Sequence, residues 1–164
     1  MENANKSSSH AVYNIKLHIV LVTKYRRETL TPELLDYLKE AFADCLAAWR
    51  CNLVEFGGKP DHVHLLVDIH PALDISVLIN NIKTASTRRA RNRRARNPYA
   101  EHIAAFYKKP QFWHRACFVG SVGGVTFETV RACVDARGTE EHARKAVTNA
   151  KANGPGPPRT RPPA

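Results

Sequence analysis

The chain has no apolar run approaching the roughly 20 residues that a membrane-spanning helix needs. Its polar opening, MENANKSSSH, lacks the hydrophobic stretch of a signal peptide. Both absences point to a cytoplasmic protein with no membrane role. Cysteine is scarce: the four residues Cys45, Cys51, Cys117 and Cys133 show neither CxxC spacing nor the density of a secreted scaffold, which argues against a disulfide framework. Acidic residues are short as well, with 15 Asp and Glu against 25 Lys and Arg, a formal charge of +10 and a pI near 9.8. Such a balance makes polyanions the default partner, nucleic acid ahead of an anionic membrane. No internal repeat is visible. What is present, 164 residues with 43% hydrophobic content, suffices for one domain with a real core.

Residues 1–10 read as a flexible leader. Ala11 to Tyr25, AVYNIKLHIVLVTKY, is rich in β-branched and aromatic residues and predicts a first strand. Thr31 can cap a helix that opens on Pro32 and repeats Leu34, Leu38, Phe42, Cys45 and Trp49 at helical spacing. Asn52 to Phe56 predicts a second strand, GGKPD a turn, and Val63 to Ile69 a third strand closing a hairpin. Asp74 can cap a second helix whose buried stripe is Ile75, Leu78, Ile79, Ile82 and Ala85. Pro98 to Gln111 reads as a loop with a helical turn, and Phe112 to Val122 as a fourth strand. Gly123 and Gly124 then turn into a closing helix, capped by Thr126 and ending near Gly138. The Pro- and Gly-rich residues 148–164 predict a disordered tail, leaving 11–147 as the domain. The order β-α-β-β-α-β plus a C-terminal helix is the split βαβ arrangement of α+β, ferredoxin-like or RRM-like sandwiches with an antiparallel sheet. That fold hosts many functions, so function must come from sites.

Two motifs carry chemistry. In KPDHVHLLVDIH, strand alternation puts His62, His64, Leu66 and Asp68 on one face and the apolar Val63, Leu65, Val67 and Ile69 on the other. The two imidazoles are then about 6 to 7 Å apart at the backbone, from where both can reach one cation. The competing reading is polar decoration of a sheet, and two imidazoles do not close a metal site. In TRRARNRRARN, Arg88, Arg89, Arg91, Arg93, Arg94 and Arg96 place six guanidiniums in nine residues with no acid between them. Guanidinium forks match phosphate oxygens, and Lys83, Thr84 and Ser86 just upstream can add contacts. Lys24 and Arg26 in KYRR can extend this footprint. Phe106, Tyr107, Phe112 and Trp113 lie near Lys108, Lys109 and Arg115 and could stack bases, though Phe112 and Trp113 lead into a strand and suit the core.

Taken together and in order, HIVLVTKYRR, KPDHVHLLVDIHP, NNIKTASTRR, FWHRACFVGSVGG and the closing helix resemble the single-tyrosine HUH transposases, often called TnpA, of insertion sequences that move as single-stranded DNA. The resemblance spans about Val12 to Arg137. It implies a homodimer in which His62 and His64 ligate Mg2+ or Mn2+, and a tyrosine attacks a phosphate of single-stranded DNA to give a 5′-phosphotyrosine and a free 3′-OH. It also implies recognition of hairpin DNA by the basic second helix, at Lys83, Ser86, Arg88 and Arg89 among others.

One departure stands out. The family's tyrosine lies nine residues beyond the second glycine of the turn, and its third metal ligand four residues further on; counted from Gly124, these positions hold Cys133 and Arg137. A thiolate is a soft nucleophile that prefers carbonyl or disulfide targets, and an arginine repels a cation. The resemblance therefore implies a transposase that binds DNA but has little or no strand cleavage. Two alternatives remain: an active nickase using Cys133 or a displaced tyrosine, and a DNA-binding regulator in which His62, His64 and Cys133 hold structural Zn2+.

Overall fold

The computed structural model describes residues 5–93 and 97–122. Arg94, Arg96, Cys133, Arg137, the closing helix and the tail lie outside the described residues. A small antiparallel pair, β1 (Lys6–Ser8) and β2 (Ala11–Tyr13), precedes the main elements. These are β3 (Ile15–Thr23), α1 (Pro32–Ala48), β4 (Asn52–Lys59), β5 (His62–Ile69), α2 (Ile75–Arg91), α3 (Tyr99–Phe106) and β6 (Trp113–Ser121). The four-stranded sheet has the order β4-β5-β3-β6 with every neighbour antiparallel. Each helical crossover therefore skips one strand, and the split βαβ architecture is the observed one.

Local chemistry accounts for the helix starts. The Thr31 hydroxyl accepts the Leu34 N–H at 3.2 Å with Pro32 opening α1, and an Asp74 carboxylate oxygen accepts the Val77 N–H at 3.1 Å to open α2. Leu34, Leu38, Phe42 and Leu46 of α1, with Leu78, Ile79 and Ile82 of α2, pack on one sheet face made of Leu17, Ile19, Leu21, Val63, Leu65, Val67 and Ile69. Tyr107, Phe112 and Trp113 join that core, which removes them as base-stacking groups.

Three expectations need correction. The first strand breaks at Asn14, because Ala11–Tyr13 leaves the main sheet to pair with Lys6–Ser8, in what composition assigned to a leader. Lys6 is further tied to Asp68 by a 2.8 Å ion pair. The glycines of GGKPD do not turn: β4 continues through Lys59 and the hairpin closes over Pro60 and Asp61 alone. Gly58 is in the strand because α1 lies against it, and a Cβ there would come within 2.6 Å of the Leu35 side chain. Finally, Tyr99–Phe106 is a full two-turn helix and not a loop, seated on the core through Ala100 and Ile103. Among the described residues no helix is long and apolar enough to cross a membrane.

Candidate metal centre and nucleic-acid interface

The sheet face opposite the helices carries the histidines, and it is not a solvated surface. His62 is 6% exposed and His64 is fully buried, which disposes of the decorative reading. Burying two imidazoles between strands is costly unless their ring nitrogens are used, and both Nδ1 atoms are. Asp61, at the hairpin tip, lies 2.6 Å from His62 Nδ1 through Oδ1, while Arg26 Nε donates to its other carboxylate oxygen at 3.1 Å. Burial pushes the Asp61 carboxyl up, but the hydrogen bond and charge of His62 and the charge of Arg26 outweigh it and hold it below the usual carboxylate range. An ionised carboxylate only accepts, so His62 Nδ1 is the donor and Nε2 is the nitrogen that can meet a cation.

His64 has a different neighbour. Its Nδ1 lies 3.0 Å from Nε2 of His18, a residue on β3 that is also fully buried. Register explains the meeting: Val20 stands opposite His64 and His18 opposite Leu66, so His18 and His64 are diagonal neighbours on one face. Their ring planes are 14° apart with centroids 5.2 Å apart, and the His62 and His64 centroids are 4.9 Å apart. Glycines border the cluster, Gly57 opposite His64 and Gly120 opposite His18. A Cβ at Gly120 would meet Phe118 Cζ at 3.0 Å, and the Phe118 ring meets His18 edge-on with centroids 6.0 Å apart. Among the described residues no group of three His, Cys, Asp or Glu side chains makes a complete cation site.

The basic residues part company. An open groove of about 680 Å3 is lined by Lys24, by Asn80, Lys83, Thr84, Thr87, Arg88 and Arg91 of α2, and by residues 110–115. Lys83 Nζ donates to the His114 and Arg115 carbonyls at 3.1 and 2.8 Å, joining α2 to the start of β6. Arg91 donates through both terminal nitrogens to the Tyr107 carbonyl at 3.1 and 3.2 Å. Thr84 and Arg88 are exposed on the groove wall.

Ser86 does not belong to this surface. It is buried, its hydroxyl donates to the Ile82 carbonyl at 2.6 Å, and it accepts the Trp113 indole N–H at 2.8 Å. Arg89 turns toward α1, where it pairs with Asp44 and lies over the Tyr37 ring, so it is not on the groove either. Arg93 pairs with Glu101 at 3.5 Å. The arginine run that holds no acid in sequence thus meets acids brought by α1 and α3.

Three residues that sequence reasoning passed over belong here. His18 interrupts the apolar run from Leu17 to Val22, a signal open to reading in the sequence. Asp61 looked like a turn residue. Tyr25 is 68% exposed, has a positive φ of 61°, and lies between the charges of Lys24 and Arg27 at 5.3 and 5.4 Å from its ring centre. Of the thiols described, Cys51 is buried and Cys45 half-buried, and burial raises both above the ordinary cysteine range.

Comparison with known proteins identifies relatives of this chain. The chain is 35% identical over 78 residues to the ISDra2 transposase TnpA of Deinococcus radiodurans, covering 48% of this chain and 56% of that relative. The chain thus spans little more than half the length of that protein. With the transposase for insertion sequence element IS200 of Salmonella typhimurium it shares 27% identity over 121 residues, covering 72% of this chain and 74% of the relative. A crystal structure of a Deinococcus radiodurans protein assigned as a transposase superposes with a TM-score of 0.64 at 26% identity, covering 80% of this chain and 96% of the other. Residues 11–137 match the family described as Transposase IS200 like, and the chain belongs to that family.

Proposed function

We propose that this protein binds hairpin-forming single-stranded DNA through the Lys24–Arg88 groove, and that His62 and His64 are the remaining half of a metal-assisted strand-cleavage site. The observation that carries the reading is the pair of buried imidazoles, each with Nδ1 engaged, on a sheet whose edge adjoins a basic groove. The donor set fits a divalent cation through the two Nε2 atoms. Imidazole nitrogen suits Mn2+ better than the more oxygen-seeking Mg2+. Such an ion would polarise a phosphate and make its phosphorus more open to attack.

The chain's own residues do the rest. Lys24, Arg88 and Thr84 would hold DNA phosphates, Tyr25 would offer a ring face to an unpaired base, and Asp61 orients His62. At the positions the family uses for its nucleophile and third ligand stand Cys133 and Arg137. A thiol is a poor match for a phosphodiester and a guanidinium repels the cation, so binding persists with little or no cleavage. The DNA-binding form is a homodimer, as the family resemblance implies, which light scattering of the purified protein would test by its mass.

A displaced tyrosine is the second reading, and exposure favours one candidate. Tyr107 is buried with its hydroxyl donating to the Lys24 carbonyl at 2.7 Å, and the Tyr37 hydroxyl donates to the Arg89 carbonyl at 3.2 Å. Tyr25 is the exposed tyrosine of the five, on a turn whose Arg26 is bonded to Asp61. If protein, Mn2+ and labelled DNA form a covalent adduct that Tyr25→Phe abolishes, this reading replaces the first. The primary test is affinity for hairpin, unpaired and random duplex oligonucleotides at two salt concentrations. Hairpin or single-stranded DNA should bind more tightly; equal affinity for duplex would end the proposal.

A further inference from the structure

His18 is a fully buried imidazole in the middle of β3, between Leu17 and Ile19, where an apolar residue would cost nothing. Its Nε2 lies 3.0 Å from His64 Nδ1. One proton lies between these two atoms, and its owner decides what His64 can do. If His18 Nε2 holds it, neutral His64 carries its own proton on Nε2, and that nitrogen has no lone pair for a cation. If His64 Nδ1 holds it, His64 Nε2 is a ligand and His18 Nε2 is the acceptor. The near-coplanar rings suit such a bond in either sense.

We infer that His18 is a positioning residue for His64: by accepting the His64 Nδ1–H it holds that imidazole in the cation-binding tautomer and sets the affinity of the site for a divalent ion. His62 receives the same service from Asp61, so each imidazole of the pair has its own orienting partner, one a carboxylate and the other an imidazole. The carboxylate can only accept. The imidazole can do either, which makes His64 the ligand whose readiness depends on its neighbour. This inference rests on the reading of His62 and His64 as cation ligands.

Two measurements test it. Long-range 15N–1H correlation spectra of the histidine-labelled protein with Mg2+ should show both His64 and His18 protonated at Nδ1. A proton on Nε2 of either ring in the loaded protein would overturn the inference. Mn2+ affinity, read by the loss of the free-ion electron paramagnetic resonance signal, should fall about 10- to 100-fold in His18→Phe. His18→Gln should recover part of the loss, because its side-chain carbonyl can accept. If His18→Phe keeps the melting temperature and binds Mn2+ like the unaltered protein while His64→Ala does not bind, the inference fails and the ligand reading survives. If the unaltered protein binds no Mn2+, the ligand reading falls and takes the inference with it. Should His18→Phe not fold, the tautomer measurement on the unaltered chain decides.

Discussion

Arg88 and Arg89 are adjacent in sequence, carry the same charge, and should behave differently toward DNA. Arg88 stands exposed on the groove wall with Lys24, whereas Arg89 faces α1 and pairs with Asp44. Each phosphate contact to single-stranded DNA contributes about 0.7 to the slope of log affinity against log salt. Replacing Arg88 with alanine should therefore flatten that slope by about 0.7 and weaken binding about fivefold near 0.1 M salt, roughly 1 kcal/mol. Lys24→Ala combined with Arg88→Ala should flatten it by about 1.4. Arg89→Ala should leave the slope unchanged and cost at most about 1 kcal/mol of stability, since an exposed ion pair contributes no more. Fluorescence anisotropy of a labelled hairpin oligonucleotide at several salt concentrations reads all three. Equal slope changes for Arg88→Ala and Arg89→Ala would refute the groove as the DNA surface.

Other perturbations follow from the same geometry. Ser86→Ala strands the buried Trp113 indole N–H and should lower stability by about 1–3 kcal/mol in urea melts, with the DNA salt slope untouched. Gly58→Ala forces the Leu35 side chain away and should cost about 1–3 kcal/mol in the same melts, a loss that Leu35→Ala in the same chain would partly relieve. Asp61 is held below its usual range, so its contribution to stability is complete above its unfolded value of about 4 and is lost as the pH falls through the folded one. Asp61→Asn should therefore lower the melting temperature at pH 7 and flatten its decline in acid. Cys133→Tyr with Arg137→Gln should restore some nicking of single-stranded DNA in Mn2+; persistent inactivity would show that more than these two positions has changed.

The sequence made much of this visible where the signal was local. Thr31-Pro32 and Asp74 marked helix starts because capping is a contact over three residues, and the alternation in HVHLLVDI separated core face from histidine face because strand period depends on nothing distant. What it hid was long-range. His18 and His64 are 46 residues apart and meet only through the β3–β5 register. Ser86 sits on the polar-looking stretch of α2, yet helical phase and Trp113 turn it inward. The acids that meet Arg89 and Arg93 come from α1 and α3, and no reading of the arginine run alone could supply them. Two glycines suggested a turn, yet both lie in β4, where α1 comes close to Gly58.

The central claim is that half of the cleavage site remains while its nucleophile has been replaced. Its most direct measurement is a denaturing gel of the protein incubated with Mn2+ and end-labelled hairpin DNA, under conditions where a native gel shows binding. The account predicts a shifted band on the native gel, and on the denaturing gel neither a nicked strand nor a protein-linked one. A covalent protein–DNA species or a discrete nick, lost in His64→Ala, would contradict it.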